Sequence, residues 1–313
     1  MVECWLPYGK TEVHVTVPIK NLLGIVEVEA EIAEEPEKEI IASIRGLTDL
    51  ASKGKRVAVA LEGELPSPYI GLIVERVVKE FLEANVNAEE ISIIVSPGTF
   101  GSVRTDLREQ LKPLEKLNIK ITQHSWSQRD IISAGESEGT KILLNREFVE
   151  ADIRVLIGEV KPDPIAGYSG GASILFPGLS EVRSIESSLR KSLDTGGRLS
   201  VLEGNPIYED SREVARLVDV DFTVNIVSDP EGRPIRIFSG ELEKSWKRAV
   251  ELAEKTYTVP VEKGGDVFVV SAGGYPYDRT LCRASMAIEG ISRLGGRESK
   301  IILLAECSEG VGD

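Results

Sequence analysis

Residues able to do chemistry are densest in Gly158-Glu159-Val160-Lys161-Pro162-Asp163-Pro164-Ile165-Ala166-Gly167-Tyr168-Ser169-Gly170-Gly171-Ala172-Ser173, which runs on through Ile174-Leu175-Phe176-Pro177-Gly178. Glycines let the backbone approach a ligand and aim amide N–H groups at an anion, to which Ser169 and Ser173 add hydroxyl donors. A carboxylate or a phosphate suits such a loop. The same composition also makes a tight structural loop feeding a helix. Tyr168 either lines a pocket there or packs. Asp163 is either a catalytic base or a turn residue between Pro162 and Pro164. As a carboxylate beside an anion loop it repels an acid substrate, unless it is protonated or paired with a cation such as Arg183 or Arg279.

Arg104, Arg183, Arg190 and Arg279 are candidate carboxylate clamps, since a guanidinium fork matches two oxygens. The ordinary alternative for each is a solvated surface position. The two histidines, His14 and His124, stand far apart with no carboxylate triad nearby, which argues against a zinc site. Cys4, Cys282 and Cys307 show no Cys-x-x-Cys spacing and leave an odd thiol over, so neither a disulfide framework nor a thiolate metal site is expected.

Short, wholly apolar runs at Val57–Leu61, Ile91–Val95, Ile153–Ile157, Phe222–Val227, Val267–Val270 and Ile301–Leu304 have the look of strands buried on both faces of a parallel sheet. Amphipathic helices fall between them. One spans Pro68–Asn85, where Ile70, Ile73, Val74, Val77, Val78 and Phe81 recur at three and four, and another runs from about Gly240 to Lys255. The alternation in Glu12–Val17 and Ile25–Ala30 predicts an antiparallel, half-exposed N-terminal hairpin. The fold class is therefore α/β: a large N-terminal domain with a parallel or mixed sheet and a β-hairpin over 1–262, then a short C-terminal α/β unit over 263–313 that is expected to be truncated. The boundary is drawn at the polar, Pro/Gly-punctuated stretch 259–265. Ligands of open parallel sheets sit beyond the carboxyl ends of strands. That places the turns at 62–68, 96–101, 158–171, 271–276 and 306–310 where a site belongs.

The chain has 313 residues with 37 Lys plus Arg against 51 Asp plus Glu, a net charge of −14. A field of that sign repels phosphate backbones and anionic lipid, so neither nucleic acid nor a membrane surface is an expected partner. No run approaches a membrane span and the opening residues lack a secretory pattern. With its cysteines unpaired, the protein is expected in the cytoplasm. Glutamine is scarce beside abundant Glu, Lys and Arg, the direction of hyperthermophile compositions.

Taken together, Ala166-Gly167-Tyr168-Ser169-Gly170-Gly171 and Pro177-Gly178 resemble the signature of the nickel-pincer lactate racemase family. Leu6-Pro7-Tyr8-Gly9-Lys10, Pro66-Ser67-Pro68, Gly98-Thr99, Gly158-Glu159-Val160-Lys161-Pro162, Gly273-Gly274-Tyr275-Pro276-Tyr277-Asp278 and Glu306-Cys307-Ser308-Glu309-Gly310 follow at matching intervals, so the similarity covers nearly the whole chain. The resemblance implies two domains with a cleft between them. It also implies a lysine-tethered, pyridinium-derived nickel cofactor and hydride transfer at C2 of a 2-hydroxy acid, with two histidines moving the hydroxyl proton. At the family's functional positions this chain departs. One proton-transfer histidine is Phe100, the other is Asp163, and the tethering lysine is Ser173. The Asn-His pair carrying the nickel ligand aligns with Ser188-Leu189. The family's Thr-Arg is Glu64-Leu65, and the second domain's lysine falls at Met286. His124 matches a position where the family also has histidine, near a structural turn.

Serine cannot form the tether, leucine cannot donate to nickel and phenylalanine cannot carry a proton, so no tethered nickel cofactor is expected. A divergent member would bind a small anionic, 2-hydroxy-acid-like metabolite through Phe100, Tyr168, Ser169, Gly170, Gly171, Ser173, Arg183 and Arg279, with Asp163 as the one candidate base. Two alternatives stand beside it. The chain is a non-catalytic subunit pairing with a partner chain or a second copy, or it is an active racemase or epimerase working by a modified route.

Overall fold

The computed structural model describes the chain apart from residues 53, 99–102, 126–128, 138–139, 196, 262–263, 293 and 313. In chain order its strands are β1 (Val2–Tyr8), β2 (Thr11–Val17), β3 (Val57–Glu62), β4 (Ile91–Ser96), β5 (Lys120–Gln123), β6 (Ile131–Ser137), β7 (Thr140–Asn145), β8 (Ile153–Glu159), β9 (Pro162–Asp163), β10 (Gly167–Tyr168), β11 (Phe222–Ser228), β12 (Pro234–Gly240), β13 (Val267–Ser271) and β14 (Lys300–Leu304). The helices are α1 (Pro36–Ser43), α2 (Ile70–Glu83), α3 (Leu107–Glu115), α4 (Arg146–Val149), α5 (Val182–Thr195), α6 (Pro206–Val218), α7 (Leu242–Tyr257), α8 (Leu281–Ala284) and α9 (Ala287–Ser292). Contacts divide them into two units, Ala30–Tyr257 and Met1–Glu29 with Thr258–Asp313.

Within Ala30–Tyr257 the main sheet runs β12-β11-β8-β3-β4-β5. Strands β11, β8, β3, β4 and β5 are parallel, and β12 adds antiparallel to β11 at the edge. Four of the six apolar runs become β3, β4, β8 and β11 of this sheet, with β4 and β11 buried along their whole length, whereas the other two form the separate β13–β14 pair and are half-exposed rather than buried on both faces. One face packs Val57, Val59, Leu61, Val155 and Ile157 against Ile70, Ile73, Val77 and Phe81 of α2. Each such side chain contributes about 1.5–3 kcal/mol by leaving water. The other face packs Ala58, Ala60 and Leu156 against Ile174, Leu175, Val214 and Ala215. Strand β12 escapes a search for apolar runs because Arg236, Ser239 and Gly240 interrupt it and only Pro234 and Ile237 are buried.

Two caps set helix starts near the site. The Asn205 side chain accepts from Ile207 N and Tyr208 N with Pro206 opening α6, and the Asn145 side chain accepts from Phe148 N at α4. At the sheet's opposite end Asp152 accepts from Lys55 N and Arg56 N and pairs with the Arg56 guanidinium. Hydrogen bonds from the Arg56 side chain and backbone hold that carboxyl down at about 2.

In the other unit β1 pairs antiparallel with β2, and β13 pairs parallel with β14. Asp278, 1% exposed, ties the hairpin to the C-terminal segment: its carboxylate accepts from Gly9 N at 2.7 Å and Glu306 N at 3.0 Å. Tyr275 N donates to Gly9 O at 2.7 Å. Where the sequence suggests a linear division at 262–263, these contacts group Met1–Glu29 with Thr258–Asp313.

One expectation is corrected outright. The hairpin is β1 with β2, while Ile25–Ala30 forms no strand among the described residues, and Ile25 and Val26 are 49% and 57% exposed. Period-two alternation makes a strand only where a neighbour supplies the ladder bonds. Among the described residues no helix is long and apolar enough to cross a membrane.

Candidate functional site

Strand β8 ends on Glu159, which is fully buried; Lys161 Nζ lies 2.6 Å from its Oε2. The chain then makes the short β9–β10 ribbon, pairing Gly167 with Asp163 and Tyr168 with Pro162. Asp163 Oδ1 closes that ribbon by accepting from Ile165 N at 2.8 Å and Ala166 N at 2.6 Å. This is the side-chain turn that a short acid between two prolines favours.

Ser169 is stitched to the strand end. Its Oγ donates to Glu159 O at 2.8 Å, its N–H donates to Lys161 O at 2.9 Å, and its carbonyl accepts from Trp246 Nε1 at 3.0 Å. Gly170 and Gly171 have φ of +75° and +52°. A β-carbon on Gly171 would stand 2.5 Å from Trp246 Cδ1, so only glycine lets this turn lie against the indole. Ser173 Oγ donates to Gly170 O at 2.9 Å in the short helical turn that follows.

Tyr168 is 3% exposed and packs with Val160, Val227 and Trp246. Burial pushes its phenol up, against a hydrogen bond with Ser200 that lowers it. Tyr168, Gly170 and Ser173 line a pocket of about 440 Å³ together with Tyr208, Arg212, Ala215 and Arg216 of α6 and Leu242, Glu243, Trp246 and Lys247 of α7. Tyr208 and Trp246 stack with centroids 5.4 Å apart, and Arg212 lies 5.2 Å from the centre of the Tyr208 ring. Arg212 Nη2 donates to Glu243 Oε1 at 3.0 Å, Arg216 donates to the same oxygen, and Lys247 Nζ is 4.0 Å from Oε2. Burial raises the Glu243 carboxyl, but the hydrogen bonds and positive charges of Arg212 and Arg216 together outweigh it and hold the group below the usual range.

The expected site residues thus separate. Tyr168, Gly170 and Ser173 share the pocket wall, while Ser169 and Asp163 serve the loop's own backbone bonds. Arg183 and Arg190 stand exposed on α5. Arg104 is 7% exposed and pairs with Asp106, and Arg279 is 2% exposed with Nε 3.6 Å from Glu309, in the other unit. Phe100 lies outside the described residues. His124 is buried, its Nε2 is 3.0 Å from Ser180 O, and its Nδ1 faces Asn145 Nδ2 at 3.2 Å, so its ring is a structural tie. His14 packs on Trp5 in the hairpin.

Sequence reasoning did not reach Tyr208, Arg212, Arg216, Glu243, Trp246 and Lys247. The spacing of four between Arg212 and Arg216 places both on one side of a helix. Their shared carboxylate lies on a separate helix, which no local pattern discloses.

The nickel group that the resemblance implies needs an amine tether and a donor to the metal. Position 173 offers a hydroxyl already bonded to Gly170 O, position 189 a half-buried leucine, and position 163 a carboxylate spent on two amides. Among the described residues no group of three His, Cys, Asp or Glu could hold a metal. The residues present do not fit that group.

Residues 8–197 match the family described as the lactate racemase N-terminal domain. The lactate racemase of Thermoanaerobacterium thermosaccharolyticum is 26% identical over 332 residues, with 100% of this chain and 76% of the relative covered. That of Lactiplantibacillus plantarum is 24% identical over 330 residues, with the same shares, 100% and 76%. The solved lactate racemase apoprotein from T. thermosaccharolyticum matches with a TM-score of 0.83 at 25% identity, covering 100% of this chain and 76% of that one. A Thermotoga maritima protein shares the fold, with a TM-score of 0.60 at 19% identity over 80% of this chain and 66% of that one.

Proposed function

Because the chain belongs to the family of the lactate racemase N-terminal domain, we propose that it is a divergent member that binds a small organic anion and carries no tethered nickel group. The resemblance places the family's tether at Ser173, and one observation supports this reading: the hydroxyl there is bonded to Gly170 O at 2.9 Å. A hydroxyl cannot supply the nitrogen an amide-type link needs, and Leu189 has no lone pair for a metal. Support for an anion comes from the pocket against the same loop, where Arg212 and Arg216 share the single oxygen Glu243 Oε1 and so keep donors for a further acceptor.

The test is mass spectrometry of the intact protein with metal analysis, followed by thermal melts with added lactate. The expected mass is that of the bare polypeptide, with nickel far below one per chain. An adduct at Ser173, stoichiometric nickel, or racemisation of lactate by the purified protein would overturn the proposal. Lactate should raise the melting temperature, and Gly171→Arg, which drives a long side chain into the pocket wall, should abolish the rise. An unchanged shift in that variant would remove the loop from ligand binding.

Alternatively the chain acts as a subunit. The β13–β14 pair leaves Val267, Val269 and Ile302 at 55%, 37% and 50% exposure on a parallel sheet, an arrangement that is ordinarily covered on both faces. Sedimentation at low concentration decides it, since a clean monomer contradicts self-association through that face.

A further inference from the structure

The pocket beside the Gly-rich loop holds more space and more donors than a three-carbon acid uses. From this we infer that its ligand is a carboxylate with a bulky apolar body, the carboxylate on Arg212 and Arg216 and the body against Tyr168, Leu242 and Trp246. The inference rests on the anion-binding reading above and narrows it.

Three observations carry it. The first is size: about 440 Å³ is the room of roughly fifteen waters at ~30 Å³ each, so lactate would leave most of the pocket to solvent. The second is the lining. Ala166, Tyr168, Ala172, Leu242 and Trp246 form an apolar wall, which the Tyr208 ring stacked on Trp246 extends. Such a wall rewards carbon and gives nothing to a hydroxyl.

The third is the unspent donors. Each of Arg212 and Arg216 gives one N–H to Glu243 Oε1, and among the described residues their remaining N–H groups meet no acceptor. Arg212 Nε is buried and has no hydrogen bond. A guanidinium with free parallel donors is matched by a two-oxygen anion. Asp219, Glu241 and Glu243 lie in the same wall and oppose a second negative charge, which favours a monocarboxylate over a phosphate ester.

Isothermal titration of the full chain with lactate, 3-phenyllactate and inorganic phosphate tests this, with Arg216→Gln and Arg212→Gln as variants. Arg216 is 63% exposed at its side chain, so its removal leaves the fold intact, as circular dichroism will register. Phenyllactate should bind at least about tenfold tighter than lactate, Arg216→Gln should weaken it by about tenfold, and phosphate should not bind. Equal affinity for lactate and phenyllactate overturns the inference and leaves anion binding standing. Binding of none of the three overturns both. A phenyllactate preference untouched in both variants places the seat elsewhere and overturns it, as does tight binding of phosphate.

Discussion

Asp163 takes two loop amides on one carboxylate oxygen, at 2.8 and 2.6 Å, and that use accounts for an acid between two prolines without invoking catalysis. Asp163→Ala strands both N–H groups in a half-buried turn, so unfolding by urea should show a loss of about 1–3 kcal/mol. Asp163→Asn keeps an acceptor and should lose less. Equal losses, or none, would show that the turn does not depend on this oxygen. The neighbouring Ser173 illustrates how a residue's type can be legible while its partner is not. That it is a serine excludes an amine tether at once, but its bond to Gly170 O depends on the left-handed glycines that curl the chain back.

At the scale of elements, His124 follows β5 and joins it to two others. Its ring bonds Ser180 O beyond the Gly-rich loop and meets the Asn145 side chain that caps α4. Burial lowers its pKa below the ordinary 6.5, against smaller raising effects from Ser180 and Asp130. The unfolded chain therefore binds a proton below 6.5 that the folded ring refuses, and stability must fall as pH falls through that value. Chemical unfolding at about pH 7.5 and about pH 5.5 should show this decline, and His124→Gln should flatten it. A slope unchanged in the variant would assign the titration to another group. Both helices read from their periodicity, α2 and α7, are where the spacing put them. Strand β12 and the β6–β7 hairpin were not legible, because an edge strand needs only half an apolar pattern and a hairpin's register is set by its partner.

Over the whole molecule, apolar burial is concentrated in one unit. Among the described residues, Ala284 is the only buried hydrophobic side chain of Met1–Glu29 and Thr258–Asp313, and the three apolar clusters all belong to Ala30–Tyr257. The smaller unit is held instead by polar ties such as Asp278 to Gly9 N and Glu306 N. Local opening costs least where little apolar surface is buried. Hydrogen exchange should therefore find the amides of β13 and β14 exchanging at least about tenfold faster than those of β3 and β8. Equal protection would mean that the two units open as one.

The amino-acid sequence alone determined the α/β class, the buried parallel strands β3, β4, β8 and β11 and the Gly-rich turn after β8, because strands buried on both faces are continuously apolar and a left-handed backbone favours glycine. Tertiary structure alone decided that Met1–Glu29 belongs with the C-terminal segment, and that Arg212, Arg216 and Glu243 converge beside Tyr168. Those groupings join residues far apart along the chain. They follow from how helices pack over a sheet, and no local periodicity records that.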